Sequence, residues 1–301
     1  ESNGLVMTAG VVFFAYNTPH IDYLKLAVLA ARYVKRNMPD REICLITDRG
    51  SWAWFSNGPL GTQADENFDN VVLLEADPTE NKRRHRDSPY TEFISDFKNG
   101  NKHLVFDHTP YDQTLLLDID YIVQNNSLDY VFQSDDAVTL FHDAESLVGK
   151  PPHAAQRHLD AQGIPMLWST AVYFDKNNPI TKLFFDMWSH VRDNYEFYQF
   201  LYGFSGTMFR TDFCVSIAVH LLNGMGMGDV IGNFPTPMIN MSQLDDIAKI
   251  NQVNEWVFSV TDQVETWKTS LTSIKDENVH VMNKRALDRH FDNIMTELDK
   301  T

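Results

Sequence analysis

Two carboxylates stand one residue apart in TLLLDIDYIVQNN, residues 114–126 of this 301-residue chain, with apolar runs on both sides of Asp118 and Asp120. Alternation along a strand puts residues i and i+2 on one face, so both side chains are expected to point the same way. Leu115, Leu116 and Leu117 read as a buried strand with the aspartates near its carboxyl end, where open α/β sheets bind ligands. Neighbouring carboxylates repel each other, and a metal cation relieves this by supplying the opposite charge. Oxygen ligands suit Mn2+ or Mg2+, ions that also hold substrate phosphates. In the plainer alternative, Asp120 caps the following turn and Asp118 accepts backbone hydrogen bonds.

ENKRRHRD (80–87) is the one concentrated basic run. Lys82, Arg83, Arg84 and Arg86 are candidates to clamp a diphosphate, because guanidinium forks match phosphate oxygens, and Arg83 is the assigned contact. A solvated loop is the alternative for each of them. Lys102 is a further candidate for the same task. NGMGMGDVIG (223–232) has the glycines of a phosphate loop, but no strand precedes it and no Lys-Ser/Thr follows. It is read as a loop that lines an acceptor groove or merely turns. Trp52, Trp54 and Phe55 are expected in a loop after Asp48, either stacking on a base or sugar or packing within the loop. No Ser-His-Asp or zinc-ligand spacing emerges.

The elements that must position these residues alternate in the first half. VVFFAY (11–16), EICLITD (42–48), NVVLLEA (70–76) and TLLLDIDYIV (114–123) read as strands, and helical spacing runs from Ile21 to Asn37, stopped by Pro39. Residues 92–108 read as helical or irregular. Apolar strands separated by crossovers imply a mostly parallel central sheet flanked by helices, a Rossmann-like α/β core. Later, VTLF (138–141) and MLWSTAVYF (166–174) read as strands, and a long helix is expected through about Tyr198. FCVSIAVHLL (213–222) reads as a helix, 224–242 as loop, and VHVMNK (279–284) precedes a last helix. With no repeat and no low-complexity linker, a single domain over 7–290 is expected, with halves 7–126 and 127–290.

The formal charge is −16, from 25 Lys and Arg against 41 Asp and Glu. That field repels nucleic acid and anionic membranes at long range, so a polyanionic partner must meet a local basic patch. No apolar run reaches the length of a membrane span, and residues 1–10 lack a basic start before an apolar block. ESNGLV ahead of Met7 reads as an appendage to the native sequence. Cys44 and Cys214 are the only cysteines and are expected to be reduced and buried. A cytoplasmic protein is the expectation.

The order within TPYDQTLLLDIDYIVQNNSLDYVF (109–132) is Tyr-Asp, a buried strand, Asp-x-Asp, apolar residues, an Asn pair and a Leu-containing turn. This resembles the nucleotide-sugar site of GT-A fold glycosyltransferases, notably the glycogenin-like and lipopolysaccharide galactosyltransferase-like types. The likeness covers most of the chain in outline, and the TLLLDIDYIVQN block is its specific part. The resemblance implies a metal-dependent transferase that moves a hexosyl or pentosyl group from a nucleotide-diphosphate sugar, UDP-sugar first. Asp118 would face the ribose and the metal, and Asp120 and His280 would ligate it, as Mn2+ or Mg2+. Lys284 would neutralise a phosphate. The Gly and Lys-Pro-Trp that usually follow the late His are absent here. A half-buried histidine with ordinary partners is the alternative for His280, and core packing is the alternative for Tyr16.

The resemblance further places Ala15, Tyr16 and Asn17 at the nucleotide base and ribose, with Asp48 as a partner for the base. Ser169 and Thr170 of WSTAVYF would line the sugar pocket. Asp212 would lie beside sugar and acceptor, as catalytic base in an inverting enzyme or as a positioning group in a retaining one; it is also the expected cap of its helix. The acceptor is open: a glycan, a small molecule or, as in phage-type enzymes, a modified DNA base. A nucleotidyltransferase is a second reading, although AYNTPHIDY after the first strand lacks the Gly-rich basic loop usual there. A catalytically silent nucleotide- or glycan-binding domain is a third.

Overall fold

The computed structural model describes residues 7–75, 81–98, 100–151, 157–159, 163–204, 206, 208–226, 228 and 230–300. In chain order the strands are β1 (Ala9–Phe14), β2 (Glu42–Asp48), β3 (Asn70–Leu74), β4 (Lys82–Ser88), β5 (Thr91–Asp96), β6 (Gln113–Leu117), β7 (Tyr121–Ile122) and β8 (Val138–Phe141). There follow β9 (Ala144–Ser146), β10 (Trp168–Asp175), β11 (Gly232–Asn233), β12 (Met238–Met241), β13 (Asp246–Gln252), β14 (Glu255–Thr261), β15 (Thr269–Lys275) and β16 (Val279–Val281). The longer helices are α1 (Tyr23–Asn37), α2 (Arg49–Ser56), α3 (Pro179–Asp193), α4 (Tyr195–Tyr202), α5 (Thr211–Leu222) and α6 (Lys284–Asp299).

A seven-stranded sheet in the order β11-β8-β10-β6-β1-β2-β3 forms the centre. The β1–β2, β1–β6, β2–β3 and β8–β11 pairs are parallel, and β10 runs antiparallel to both neighbours. Its strands are apolar on both faces because each face has its own core. Val11, Phe13, Leu115 and Leu117 point into one core with α1 and α6. Val12, Leu116 and Cys44 point into the other with α3, α4 and α5. The mixed α/β class with a mostly parallel sheet is therefore the one the sequence pattern implies.

Local chemistry fixes the helix ends. Asp22 caps α1 by accepting from the Lys25 amide at 3.0 Å, and Lys35 and Arg36 sit in the last turn, where cations complement the helix dipole. Asn178 caps α3, with Pro179 following at the first helical position. The long helix expected through Tyr198 is divided at Asn194, whose backbone leaves helical values (φ −115°, ψ 31°).

Several expectations are corrected. Arg49–Ser56 is helical, because the Asp48 carboxylate caps it at 2.7 Å, so the Trp52–Phe55 stretch is not a loop. Part of 92–108 is β5, paired antiparallel with β4, and the basic run lies on that hairpin instead of in a loop. Residues 224–242 include β11 and β12. The β13–β14–β15 sheet had no counterpart in the sequence reading. Residues 1–6, Ala76 of NVVLLEA, Glu80 of the basic run, and Met227 and Asp229 of the Met-Gly loop lie outside the described residues. Cys44 and Cys214 are buried free thiols, as expected. Among the described residues, no helix is long and apolar enough to cross a membrane.

Candidate functional site

Asp118 and Asp120 converge for a reason other than strand alternation. β6 stops at Leu117, and the Tyr121 amide donates to the Asp118 carbonyl at 3.0 Å, closing a tight turn over Asp118–Tyr121. The turn sits at the carboxyl end of a central strand, with the Asp118 amide donating to the Thr170 carbonyl of β10 at 2.8 Å. β16 then pairs antiparallel with β7, setting His280 opposite Tyr121, and the Val281 amide donates to the Asp120 carbonyl at 2.7 Å. Two chain segments 160 residues apart (280 − 120) are thus brought together by backbone pairing.

The side chains meet in a cleft of about 320 Å³. Ligating atoms of Asp118, Asp120 and His280 lie within 4.8 Å of one another. His280 Nε2 is 3.4 Å from Asp120 Oδ2, and His280 Nδ1 is buried without a hydrogen-bond partner among the described residues. Two buried lysines face the carboxylates. Lys284 Nζ donates to Asp120 Oδ2, while Lys102 Nζ donates to Asp118 Oδ1 at 2.5 Å and to the Ser169 carbonyl at 2.8 Å. Burial alone raises the Asp120 carboxyl, but Lys284 and His280 outweigh it and hold it well below the usual carboxylate range. Burial lifts Asp118 above that range, opposed by Lys102 and reinforced by the Asp120 charge. Two carboxylates and an imidazole with an unpartnered buried nitrogen form a donor set that fits a divalent cation of the Mn2+ or Mg2+ kind.

The opposite wall is built by β10 and the start of α5. Asp212 Oδ1 accepts from the Ser169 amide at 3.0 Å and the Ser169 hydroxyl at 2.8 Å, and Asp212 Oδ2 accepts from Arg210 at 3.2 Å. Burial pushes this carboxyl up, yet Arg210 and the Ser169 hydrogen bonds hold it below its ordinary value. Asp212 is not the helix cap that the sequence suggested. Arg210 holds the cap position without a side-chain bond, and Asp212 lies in the first turn, where an anion suits the dipole.

Of the residues singled out in the sequence, Tyr16, Arg83, Lys102, Asp118, Asp120, Ser169, Thr170, Asp212, His280 and Lys284 line this cleft. Arg83 stacks over the Phe97 ring at 4.9 Å. Its neighbours Arg84 and Arg86 instead approach Glu92 on the exposed face of the hairpin, each at 3.6 Å. Ala15, Asn17 and Asp48 stand behind the lining. Ala15 is buried, with its amide donating to the Ile46 carbonyl. Asn17 accepts from the Leu24 amide at 2.9 Å, and Asp48 caps α2 while facing Lys98 at 3.6 Å.

Lys98, Arg210, Trp168 and Tyr23 line the cleft without having been assigned to it. Tyr23 carried the apolar signal of a core helix position. Its hydroxyl is buried with no hydrogen-bond partner among the described residues, and burial beside Asp120 raises its pKa. The single signal that could have found Arg210 is its place two residues before Asp212.

No protein-family model and no curated protein matches the sequence. Among solved structures, the chain is similar to the glycosyltransferase GlyE of Streptococcus pneumoniae TIGR4, at 12% identity and TM-score 0.42, over 76% of this chain and 45% of that one. It is similar to the galactosyltransferase LgtC in complex with donor and acceptor sugar analogs, at 16% and 0.41, over 70% of each chain. It is also similar to apo mouse xyloside xylosyltransferase 1, at 11% and 0.40, over 71% of this chain and 82% of that one. The chain spans less than half the length of the GlyE chain.

Proposed function

We propose that this protein is a metal-dependent glycosyltransferase that takes a sugar from a nucleotide-diphosphate sugar, with UDP-sugar the first candidate. The observation that carries the reading is the cleft itself. An Asp-Asp-His cluster, a guanidinium and buried ammonium groups share one cavity with the Ser169–Asp212 wall, at the carboxyl end of the central strands. In this reading the domain spans 7–290, with nucleotide held by residues 7–126 and acceptor by 127–290. Uridine diphosphate and Mn2+ are named on the resemblance of the TLLLDIDYIVQN block and on the donor chemistry.

Asp118, Asp120 and His280 would hold the cation. When bound, such an ion supplies electrostatic neutralisation of the charge that builds on a leaving diphosphate. Arg83 and Lys284 line the same cleft and would add positive charge to it. Lys102, tied to both Asp118 and the Ser169 carbonyl, locks the carboxylate to the opposite wall. The Ser169 hydroxyl already donates to Asp212, so its oxygen is left to accept from a sugar hydroxyl.

Asp212 acts as an anchor for hydroxyl groups of donor or acceptor. Both of its oxygens are engaged, and a carboxylate held below its ordinary pKa is a weak proton acceptor, which favours positioning over general-base work.

Calorimetry with UDP, with and without Mn2+, on wild type and Asp120→Ala tests the reading. Wild type is expected to bind UDP tightly only with the metal, and the variant to lose that dependence. Absence of binding of any nucleoside diphosphate under every metal condition would remove the glycosyltransferase reading. Equal binding by Asp120→Ala would remove the metal-ligand assignment alone.

A further inference from the structure

Two negative and two positive side chains meet at the centre of the cleft: buried Asp120, Lys102 and Lys284, and Asp118, whose side chain is 31% exposed. The cluster is therefore close to neutral as it stands. A divalent cation added alone would leave two uncompensated positive charges beside three buried charged side chains, which is costly. An anion arriving with the cation removes that cost.

The two lysines are not equivalent. Lys102 has two acceptors, one of them a backbone carbonyl that no ligand displaces. The Lys284 ammonium has one acceptor, Asp120 Oδ2, the same oxygen that His280 Nε2 approaches. Lys284 is also the first residue of α6, where a cation opposes the helix dipole. Nothing but Asp120 holds its charge in place among the described residues. A cation that binds Asp120 Oδ2, the oxygen beside His280, must displace the ammonium, which then needs a new anion in the same cleft.

We propose that Lys284 is an exchangeable internal counter-ion: it neutralises Asp120 in the free protein, yields that carboxylate to the divalent cation, and transfers its charge to the arriving diphosphate. The proposal rests on the glycosyltransferase reading for the identity of the diphosphate, and on the Asp-Asp-His cluster for the cation. Cation and diphosphate then bind cooperatively through a protein side chain, in addition to whatever they gain from touching each other.

The test is Mn2+ titration of wild type, Lys284→Met and Lys284→Arg, alone and with UDP or inorganic pyrophosphate. With the competing ammonium removed, Lys284→Met is expected to bind Mn2+ alone about ten-fold tighter than wild type, the scale on which neighbours of a metal ligand change affinity. The enhancement of Mn2+ affinity by either anion is expected to shrink in Lys284→Met, while Lys284→Arg follows wild type. A folded Lys284→Met that binds Mn2+ alone no tighter than wild type overturns the exchange. So does wild type that binds no Mn2+, or anion enhancement undiminished in Lys284→Met.

A second measurement needs no variant. Acylation of the Lys284 amine, followed by mass spectrometry on wild type, is expected to be slow, to speed up with Mn2+ alone, and to slow again when UDP or pyrophosphate is added. A rate indifferent to Mn2+ overturns the proposal. Slowing by pyrophosphate but not by UDP keeps the exchange and sinks the nucleotide reading, so the two fail separately. Slowing by neither anion overturns the exchange.

Discussion

Asp212 accepts hydrogen bonds from Ser169 and Arg210 through separate oxygens, and this geometry sets what its substitution should do. Asp212→Asn keeps the shape and loses the charge. For an anchor, turnover of a UDP-sugar should fall roughly ten- to hundred-fold, the cost of a charge-assisted hydrogen bond or two, with the shape of the pH–rate profile unchanged. Removal of a general base would cost about a hundred- to ten-thousand-fold and delete one limb of that profile. Steady-state rates across pH therefore distinguish the two roles. Arg83→Ala is argued on the same footing: its guanidinium lies in the cleft over Phe97, so loss should weaken UDP binding by about ten-fold, whereas Arg84→Ala should leave it unchanged, as measured by calorimetry. The residue scale is also where the sequence was most legible. Asp-x-Asp carries its own electrostatic problem, so it demanded a cation or a cationic partner. Ala15, Asn17 and Asp48 were harder, because a position at a strand end does not say whether the side chain faces the cleft or braces a helix behind it.

The hairpin of β4 and β5 was the element the sequence concealed. KRRHRDS is too polar to read as a strand, and it is tied to partners far along the chain, including the Gln243 side chain, which accepts from the Arg86 amide, and Arg289, which pairs with Asp87 at 2.6 Å. The β13–β15 sheet was hidden likewise, since in TSLTSIK most side chains are solvent-facing. By contrast, strands buried on both faces announce themselves as apolar runs, and α1 carries both its periodicity and its cap. Within the hairpin, His85 stacks on Phe93 with centroids 5.2 Å apart. Burial, with Lys284 and Arg83 nearby, lowers its pKa from 6.5 to about 3. The unfolded chain takes the proton near pH 6.5 and the folded one does not, so this contribution to stability is complete above that value and is lost as pH falls toward 3. The slope reaches about 1.4 kcal/mol per pH unit for one proton. His85→Phe should flatten the decline between pH 6 and 4, read by urea unfolding, relative to wild type. β1 offers a packing test: a Cβ at Gly10 would lie 2.4 Å from the Tyr111 ring, so Gly10→Ala should cost about 1–3 kcal/mol in the same assay.

The net charge of −16 belongs to the whole molecule and bears on the acceptor. Duplex DNA is bound mainly by side chains that replace condensed counterions, and that takes several cations along one surface. The only concentrated basic run does not supply them. Arg83 turns into the cleft, and the hairpin's other cations, Lys82, Arg84 and Arg86, are matched in number by Asp87, Glu92 and Asp96. Four further cations inside the cleft are paired with carboxylates, Lys98 to Asp48, Lys102 to Asp118, Arg210 to Asp212 and Lys284 to Asp120. A modified base would have to enter a cleft of about 320 Å³ while its phosphates crossed a surface of the same sign. The expected outcome is that hydroxymethylated duplex DNA shows no saturable fluorescence anisotropy change at physiological salt and only weak, steeply salt-dependent binding below it. Saturable binding that persists as salt is raised would place the acceptor on DNA.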